Sequence, residues 1–224
     1  MPASGSAGKP VFKMPKPIAE PAASDAEITA RLMRNCRCQD DFNISDVKLR
    51  LEVMEFDPDK PFGLAGKRIL DLGCGSHGSI DNLSMRIMPQ DSGFFLRDFR
   101  LYEPWLCRYA YEGGAIVVGV DIRKQKNERF ASYKIDLSKP GALSFMPGRS
   151  FDVVVCTSLV DFANVRSGGT SPSLKGSFED MRRMAGEITK EARRLLVEGG
   201  KFLATEGIHY AVYEKIKGKL VKVF

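Results

Sequence analysis

The sequence has no apolar run approaching the ~20 residues that a membrane-spanning helix needs. Its first 24 residues hold no apolar stretch of the ~7–15 residues of a secretory leader. A spanning protein and a secreted one are therefore not expected, and the cytoplasm is the expected location. Histidine is scarce, with only His77 and His209. Five cysteines, an odd number, stand at 36, 38, 74, 107 and 156, and only Cys36 and Cys38 are neighbours. Zinc sites are built from paired C-x-x-C or mixed Cys/His clusters, so no metal site is expected, and free thiols in a reducing compartment are the plainer reading. A Walker pattern and its phosphate-binding lysine are also missing.

What is present is ordinary globular material: 224 residues, 43% hydrophobic and 28% charged, enough for one domain with room for an extra segment. The net charge of +6 permits an anionic partner such as RNA. The excess is diffuse, however: Lys9, Lys13 and Lys16 near the start, Lys215, Lys217, Lys219 and Lys222 near the end.

Residues 1–24, rich in Ala, Pro, Ser, Gly and Lys, read as a disordered tail. Residues 25–62 read as an N-terminal helical extension. Ser24 or Asp25 caps a first helix, "DAEITARLMRNC", with Ile28, Leu32 and Met33 on one face. A second amphipathic piece, "ISDVKLRLEVMEF", places Val47, Leu51 and Met54 at helical spacing before Pro58 and Pro61. From 63 to 224 the pattern alternates β and α. "RILDL", "AIVVGVD", "SYKID", "FDVVVCT" and "KFLATE" are near-continuous Val/Ile/Leu runs, as expected of strands covered on both faces. "EPWLCRYAYEGG" is a helix with Pro104 at its start and Gly113 at its stop. "SFEDMRRMAGEITKEARRLLVEGG" opens on the capping box Ser177-x-x-Asp180. It carries the stripe Phe178, Met181, Met184, Ile188, Ala192 and Leu195, and is expected to end at Gly199. The expected fold is therefore α/β, a doubly wound, mostly parallel sheet with helices on both faces.

Ligands of such sheets lie beyond the carboxyl ends of the strands, where strand order reverses. The first strand runs into Gly73-x-Gly75-x-x-Gly78, a dinucleotide spacing, but Asp71 stands just ahead of it. A fixed carboxylate there would repel a pyrophosphate. The second strand ends in Asp121, where an acid accepts hydrogen bonds from ribose hydroxyls. The third ends in Asp136, placed to accept from an exocyclic adenine amine, although a turn cap through Ser138 is an equally simple use. Three carboxylates at three strand ends suit a nucleoside with a cationic or ammonium-bearing extension.

In this order, "ILDLGCGSHG", "VVGVDIR", "YKIDL", "FDVVVCTSLVD" and "EARRLLVEGGKFLATE" resemble the class I S-adenosylmethionine-dependent methyltransferases over about residues 67–206. The resemblance implies a Rossmann-like methyltransferase fold and S-adenosylmethionine as cofactor. Gly73, Cys74 and Gly75 would border its methionine part and Asp71 its ammonium. Asp121 with Ile122 would take the ribose side, Asp136 with Leu137 the adenine, and Thr157 would belong to the same set. Methyl transfer to a small-molecule or RNA nucleophile follows. The "CTSLVD" end lacks the Asp/Asn-Pro-Pro-aromatic tetrad of adenine N-methyltransferases, and no lysine-aspartate-lysine-glutamate set of the ribose 2′-O-methyltransferases stands out.

Two departures from the family matter. About 50 residues separate the glycine turn from Asp121, against ~20 in the fingerprint, so residues 79–103 read as an insertion, either a lid over the cofactor mouth or a surface excursion. After the fifth strand only "GIHYAVYEKIKGKLVKVF" remains, expected to form one helix and one strand, so the sheet is shortened at that edge or completed by a partner. Candidate general bases are His77 and Asp161, then Tyr102 and His209. The loop "RSGGTSPSLKG" could close over substrate. The alternatives are a NAD(P)-dependent oxidoreductase, or a non-catalytic module binding RNA or a protein.

Overall fold

The computed structural model describes residues 11–36, 41–56, 61–75, 103–123, 125, 127–161, 178–206 and 209–224. In chain order the elements are α1 (Asp25–Cys36), α2 (Asp41–Glu52), β1 (Arg68–Leu72), α3 (Trp105–Glu112), β2 (Ile116–Asp121), β3 (Ala131–Lys134) and β4 (Phe151–Asp161). They are followed by α4 (Phe178–Leu195), β5 (Leu196–Glu206), β6 (His209–Ile216) and β7 (Lys219–Lys222). The strands form one seven-stranded sheet in the order β3-β2-β1-β4-β5-β6-β7. β1 to β5 pair in parallel, and β6 and β7 add an antiparallel edge. Strand order reverses between β1 and β4, which places the crevice of the sheet beyond their carboxyl ends.

The apolar runs are buried on both sides because successive side chains point to opposite faces. Ile69, Val117, Val153, Val155 and Leu203 pack in one cluster with Ile28 and Leu32 of α1, Val47 and Leu51 of α2, and Leu106 and Tyr109 of α3. Leu70, Leu72, Val118, Val154 and Phe202 pack in a second cluster with Met181, Met184, Ile188 and Leu195 of α4. The expected stripe of α4 is thus core packing. α1 starts as expected on Ser24: its Oγ accepts from the Glu27 amide, while the Glu27 carboxylate accepts from Ala23 N.

Several expectations need correction. Met33 is 42% exposed and does not join Ile28 and Leu32 in the core. Of the expected tail, residues 11–24 are packed in part: the Phe12 ring lies 6.1 Å from those of both Tyr133 and Phe151, and Ala22 is buried. Phe12 and Met14 pack against the second core cluster, and Ala22 N donates to the Glu112 carbonyl at 2.8 Å, so a few contacts hold a segment otherwise poor in apolar residues. α2 ends at Glu52, earlier than its apolar pattern suggests. α4 stops at Leu195, and Gly199 (φ +75°) lies inside β5, where the register jumps from Phe151↔Leu196 to Val153↔Lys201. The glycine serves a bulge and not a helix stop.

The C-terminal stretch forms two strands in place of a helix and a strand. Tyr210, Val212, Tyr213 and Ile216 are residue types that favour strands. Lys217 (φ 48°) and Gly218 (φ 73°) both take left-handed backbone between Ile216 and its partner Lys219, a tight two-residue hairpin turn. Among the described residues, no helix is long and apolar enough to cross a membrane.

Candidate functional site

β1 delivers Asp71 to the carboxyl edge between Gly119 of β2 and Val155 of β4. Asp71 is only 5% exposed. Among the described residues its one hydrogen-bond donor is the Cys107 thiol of α3, 3.4 Å from Oδ2, and it forms no ion pair. Burial pushes its carboxyl up to about 6; the Arg50 guanidinium and the Cys107 bond pull it back, and the Asp121 charge adds to the rise. A buried carboxylate with one weak donor is unusual, because buried charges are generally paired.

The turn after β1 depends on glycine at Gly73 (φ +73°) and Gly75 (φ +87°), conformations that side-chain-bearing residues rarely adopt. The amides of Gly73 and Cys74 both donate to the Val120 carbonyl of β2, at 2.8 and 3.2 Å. Gly75 N donates to Asp121 Oδ2 at 3.1 Å, and Arg123 N to Asp121 Oδ1 at 2.9 Å. Asp121 therefore fastens the glycine turn to the end of β2 and keeps lone pairs on both oxygens for a further donor. Beside it, Ile122 exposes 59% of its surface, an apolar face at the rim of the crevice.

Gln125 closes the turn from the other side. Its Nε2 donates to Gly75 O and lies 3.5 Å from Cys74 Sγ, while its buried Oε1 has no partner among the described residues. Cys74 is buried next to Cys107. The bond to Cys107 lowers the Cys74 thiol, but burial and the carboxylates of Asp71, Asp121 and Glu128 outweigh it, so the thiol stays protonated at neutral pH. Both sulfurs crowd Gly119: a Cβ there would sit 2.9 Å from Cys74 Sγ, 3.4 Å from Cys107 Sγ and 2.8 Å from the Phe130 ring.

Asp136 follows β3 and has the turn-capping use: its Oδ1 accepts from Ser138 N at 3.0 Å and Ser138 Oγ at 2.6 Å. The Ser138 bonds hold its carboxyl below the usual range. Leu137 is buried in the second core cluster. Thr157 lies where β4 loses register with β5, between the pairs Cys156↔Ala204 and Asp161↔Thr205. Its hydroxyl accepts from Arg50 Nη1 at 2.7 Å, and its carbonyl accepts from the Thr205 hydroxyl.

Arg50, on α2, was not singled out by the sequence. It reaches over the carboxyl end of β4 and the amino end of the antiparallel β6, donating from Nε to Tyr210 OH at 3.2 Å and from Nη2 to Asp46. Tyr210 OH in turn donates to Asp46 Oδ1 at 2.7 Å. The available signal was the i, i+4 spacing of Asp46 and Arg50 on a helix. Lys201 of β5 ties down the turn that follows this helix, donating to the Met54 carbonyl at 2.7 Å.

The structure thus brings together Asp71, Gly73, Cys74, Gly75, Asp121, Ile122 and Thr157 at one edge, with Asp136 on the adjoining turn. Asp161 ends β4, but its side chain lies outside the described residues, as do His77, Tyr102, Gly78, the loop 166–176 and all of the expected insertion except Glu103. His209 opens β6 and is exposed, paired across the sheet with Glu206. Glu103, the last residue of that insertion, is buried and held by Arg108 Nη1 at 2.6 Å. Among the described residues the carboxylates of Asp71 and Asp121 form no ion pair, so they favour a cationic ligand over a pyrophosphate.

No protein-family model and no curated protein matches the sequence. Solved structures do resemble it. A protein of Pyrococcus horikoshii OT3 is 15% identical with a TM-score of 0.42, the match covering 86% of this chain and 79% of that one. The 1,6-didemethyltoxoflavin-N1-methyltransferase of Burkholderia thailandensis, solved with 1,6-didemethyltoxoflavin and S-adenosylhomocysteine, is 16% identical with a TM-score of 0.36, over 93% of this chain and 76% of that one. An arsenic(III) S-adenosylmethionine methyltransferase of Chlamydomonas reinhardtii is 18% identical with a TM-score of 0.33, over 64% of this chain and 40% of that one. The chain spans 32–50% of the length of four such structures.

Proposed function

We propose that this chain binds S-adenosylmethionine at the carboxyl ends of β1, β2 and β4 and transfers its methyl group to a small-molecule or RNA nucleophile. The observation that carries the reading is Asp71: a buried carboxylate at the reversal point of the sheet, with a thiol as its only described donor. An ammonium supplies what that carboxylate lacks. Asp121 would take the ribose hydroxyls on its remaining lone pairs, and Ile122 would offer apolar cover beside them. Asp136, with Oδ1 engaged by Ser138 and Oδ2 3.9 Å from Lys139 Nζ, would turn Oδ2 to the adenine amine. A doubly wound path of the chain belongs to the same reading.

The bound cofactor would supply an already activated methyl carbon, so the protein's task is alignment and exclusion of water. The glycine turn sets the approach, because its backbone admits a ligand where a Cβ would block it. His77 and Asp161 remain the candidates to take a proton from the acceptor. Cys74 and Cys107 are free thiols, which suits a reducing compartment such as the cytoplasm.

The test is an assay with methyl-labelled S-adenosylmethionine against fractionated metabolites and total RNA, with a parallel calorimetric titration of NAD. Label transferred by the wild type and lost in Asp121→Ala supports the reading. Binding of NAD without binding of S-adenosylmethionine would move the chain to the oxidoreductases.

A further inference from the structure

Cations that are scattered along the sequence are gathered by the fold at the amino edge of the sheet, opposite the candidate site. The turn before β4 docks on the end of α4: Arg149 N donates to the Arg194 carbonyl at 3.0 Å and Ser150 N to that of Leu195 at 2.8 Å. Lys215 of β6 is buried there, its Nζ donating to the Leu196 carbonyl at the start of β5, at 2.7 Å. The β6–β7 turn adjoins it, Gly218 N donating to the Glu198 carboxylate at 3.2 Å. Arg149, Arg193, Lys215 and Lys217 therefore stand at one edge, with Glu198 as counter-charge.

These cations are not used up by the fold. Among the described residues, the exposed side chains of Arg149, Arg193 and Lys217 make no hydrogen bond or ion pair, and Lys215 makes no ion pair. Burial lowers the Lys215 ammonium from its usual range, Arg149 adds to the fall, Glu198 opposes it and Arg193 adds to it again. The carboxyl end of α4 favours a cation, but it carries only about half a negative charge. Its last two carbonyls are already met by the 149–150 amides, so the edge keeps a net positive charge. The backbone points the same way. Arg149 (φ 56°) and Lys217 (φ 48°) are both left-handed, a conformation that Gly and Asn adopt at less cost. Two turns at one edge thus carry a cation where the turn itself would favour an uncharged residue.

We infer that this edge docks the phosphodiester backbone of a single nucleic-acid strand. Arg149 and Arg193 take phosphate oxygens, Lys217 takes a neighbouring phosphate, and Lys215 supports them with a buried charge. A guanidinium fork matches two phosphate oxygens. A strand carries a charge at every nucleotide, so it serves several separate cations at once, which a small anion does not. The contact is to the backbone and independent of base sequence. It does not depend on the cofactor reading, which concerns the other end of the strands.

The test is fluorescence anisotropy of the full chain with short labelled oligouridylate and oligothymidylate. Both should bind alike, with a log–log salt slope of about −2 to −3, which makes binding about 15- to 60-fold weaker at about 200 mM than at about 50 mM salt. Arg149→Asn, Arg193→Gln and Lys217→Asn should each weaken binding and flatten the slope by about 0.7. Arg149→Asn and Lys217→Asn should do so with an unfolding free energy in urea that is unchanged or raised, an opposition that a purely structural role would not give. Lys222→Gln should leave the slope as it is, because Lys222 is paired with Glu206 at the other end of β7.

Absence of binding at low salt, or an affinity independent of salt, would overturn the inference. So would an Arg149→Asn, Arg193→Gln double variant that binds as the wild type does. Tighter binding of oligoglutamate or of phosphatidylserine vesicles than of either strand would overturn it too. If Arg149→Asn does not fold, Arg193→Gln and Lys217→Asn decide. Strand binding by a chain that does not bind S-adenosylhomocysteine would leave this inference standing and remove the cofactor reading.

Discussion

Asp71 shows how one residue can be costly to the fold and useful to the site. Its carboxyl takes up a proton near pH 6 in the folded chain, against 3.8 when exposed. The folded state therefore holds more protons than the unfolded one between about pH 4 and 6. Stability from this residue falls as pH rises through that window and stays at a fixed cost above it. The shift corresponds to about 3 kcal/mol. Asp71→Asn should raise the unfolding free energy at pH 7.5 by up to about 3 kcal/mol in a urea titration, with the gain gone by pH 4; a destabilised variant at pH 7.5 would contradict this. Gly119 makes the opposite case. The sequence shows a glycine inside "VVGVD" and gives no sign that two thiols and a phenyl ring crowd it. Gly119→Ala should lose about 1–3 kcal/mol by overpacking, read in the same titration.

At the scale of elements, what the sequence made legible was what local composition decides. β1, β2 and β4 were readable because uninterrupted Val/Ile/Leu runs suit a strand buried on both faces. α1 was readable from Ser24 and Glu27, and α4 from a stripe that five buried residues of the second cluster fulfil. The C-terminal hairpin was not, because its signal is a Lys-Gly pair in place of the common Asn-Gly. Gly218 is exposed, and an added Cβ there meets nothing within 4 Å, so only backbone strain opposes a side chain. Gly218→Ala should cost about 1–2 kcal/mol, whereas Lys217→Asn should be neutral or stabilising, both by chemical denaturation. The end of α4 was missed for a related reason: Gly199 signals a left-handed backbone, which a helix stop and a strand bulge use alike.

Over the whole molecule, the site is assembled from segments far apart in the chain. Asp71, Gly73, Gly75 and Asp121 could be placed from sequence because each is tied to the end of a recognisable strand. Arg50, Asp46 and Tyr210 could not, because they meet only when α2 lies across β4 and β6, a contact between residues 160 positions apart. The same holds for Gln125, which closes the glycine turn through contacts with Cys74 and Gly75. That Asp71 and Asp121 stand at this edge without an ion pair among the described residues is likewise a property of the folded chain and not of its net +6. The central claim is that the ionised carboxylate of Asp71 receives the ammonium of S-adenosylmethionine or its product. It is tested most directly by the affinity for S-adenosylhomocysteine between pH 5 and 8, in the wild type and Asp71→Asn. The expected result is wild-type affinity that is flat above about pH 7 and weakens toward tenfold per pH unit below about 6, with Asp71→Asn weak throughout. Affinity independent of pH in the wild type, or undiminished in Asp71→Asn, would contradict it.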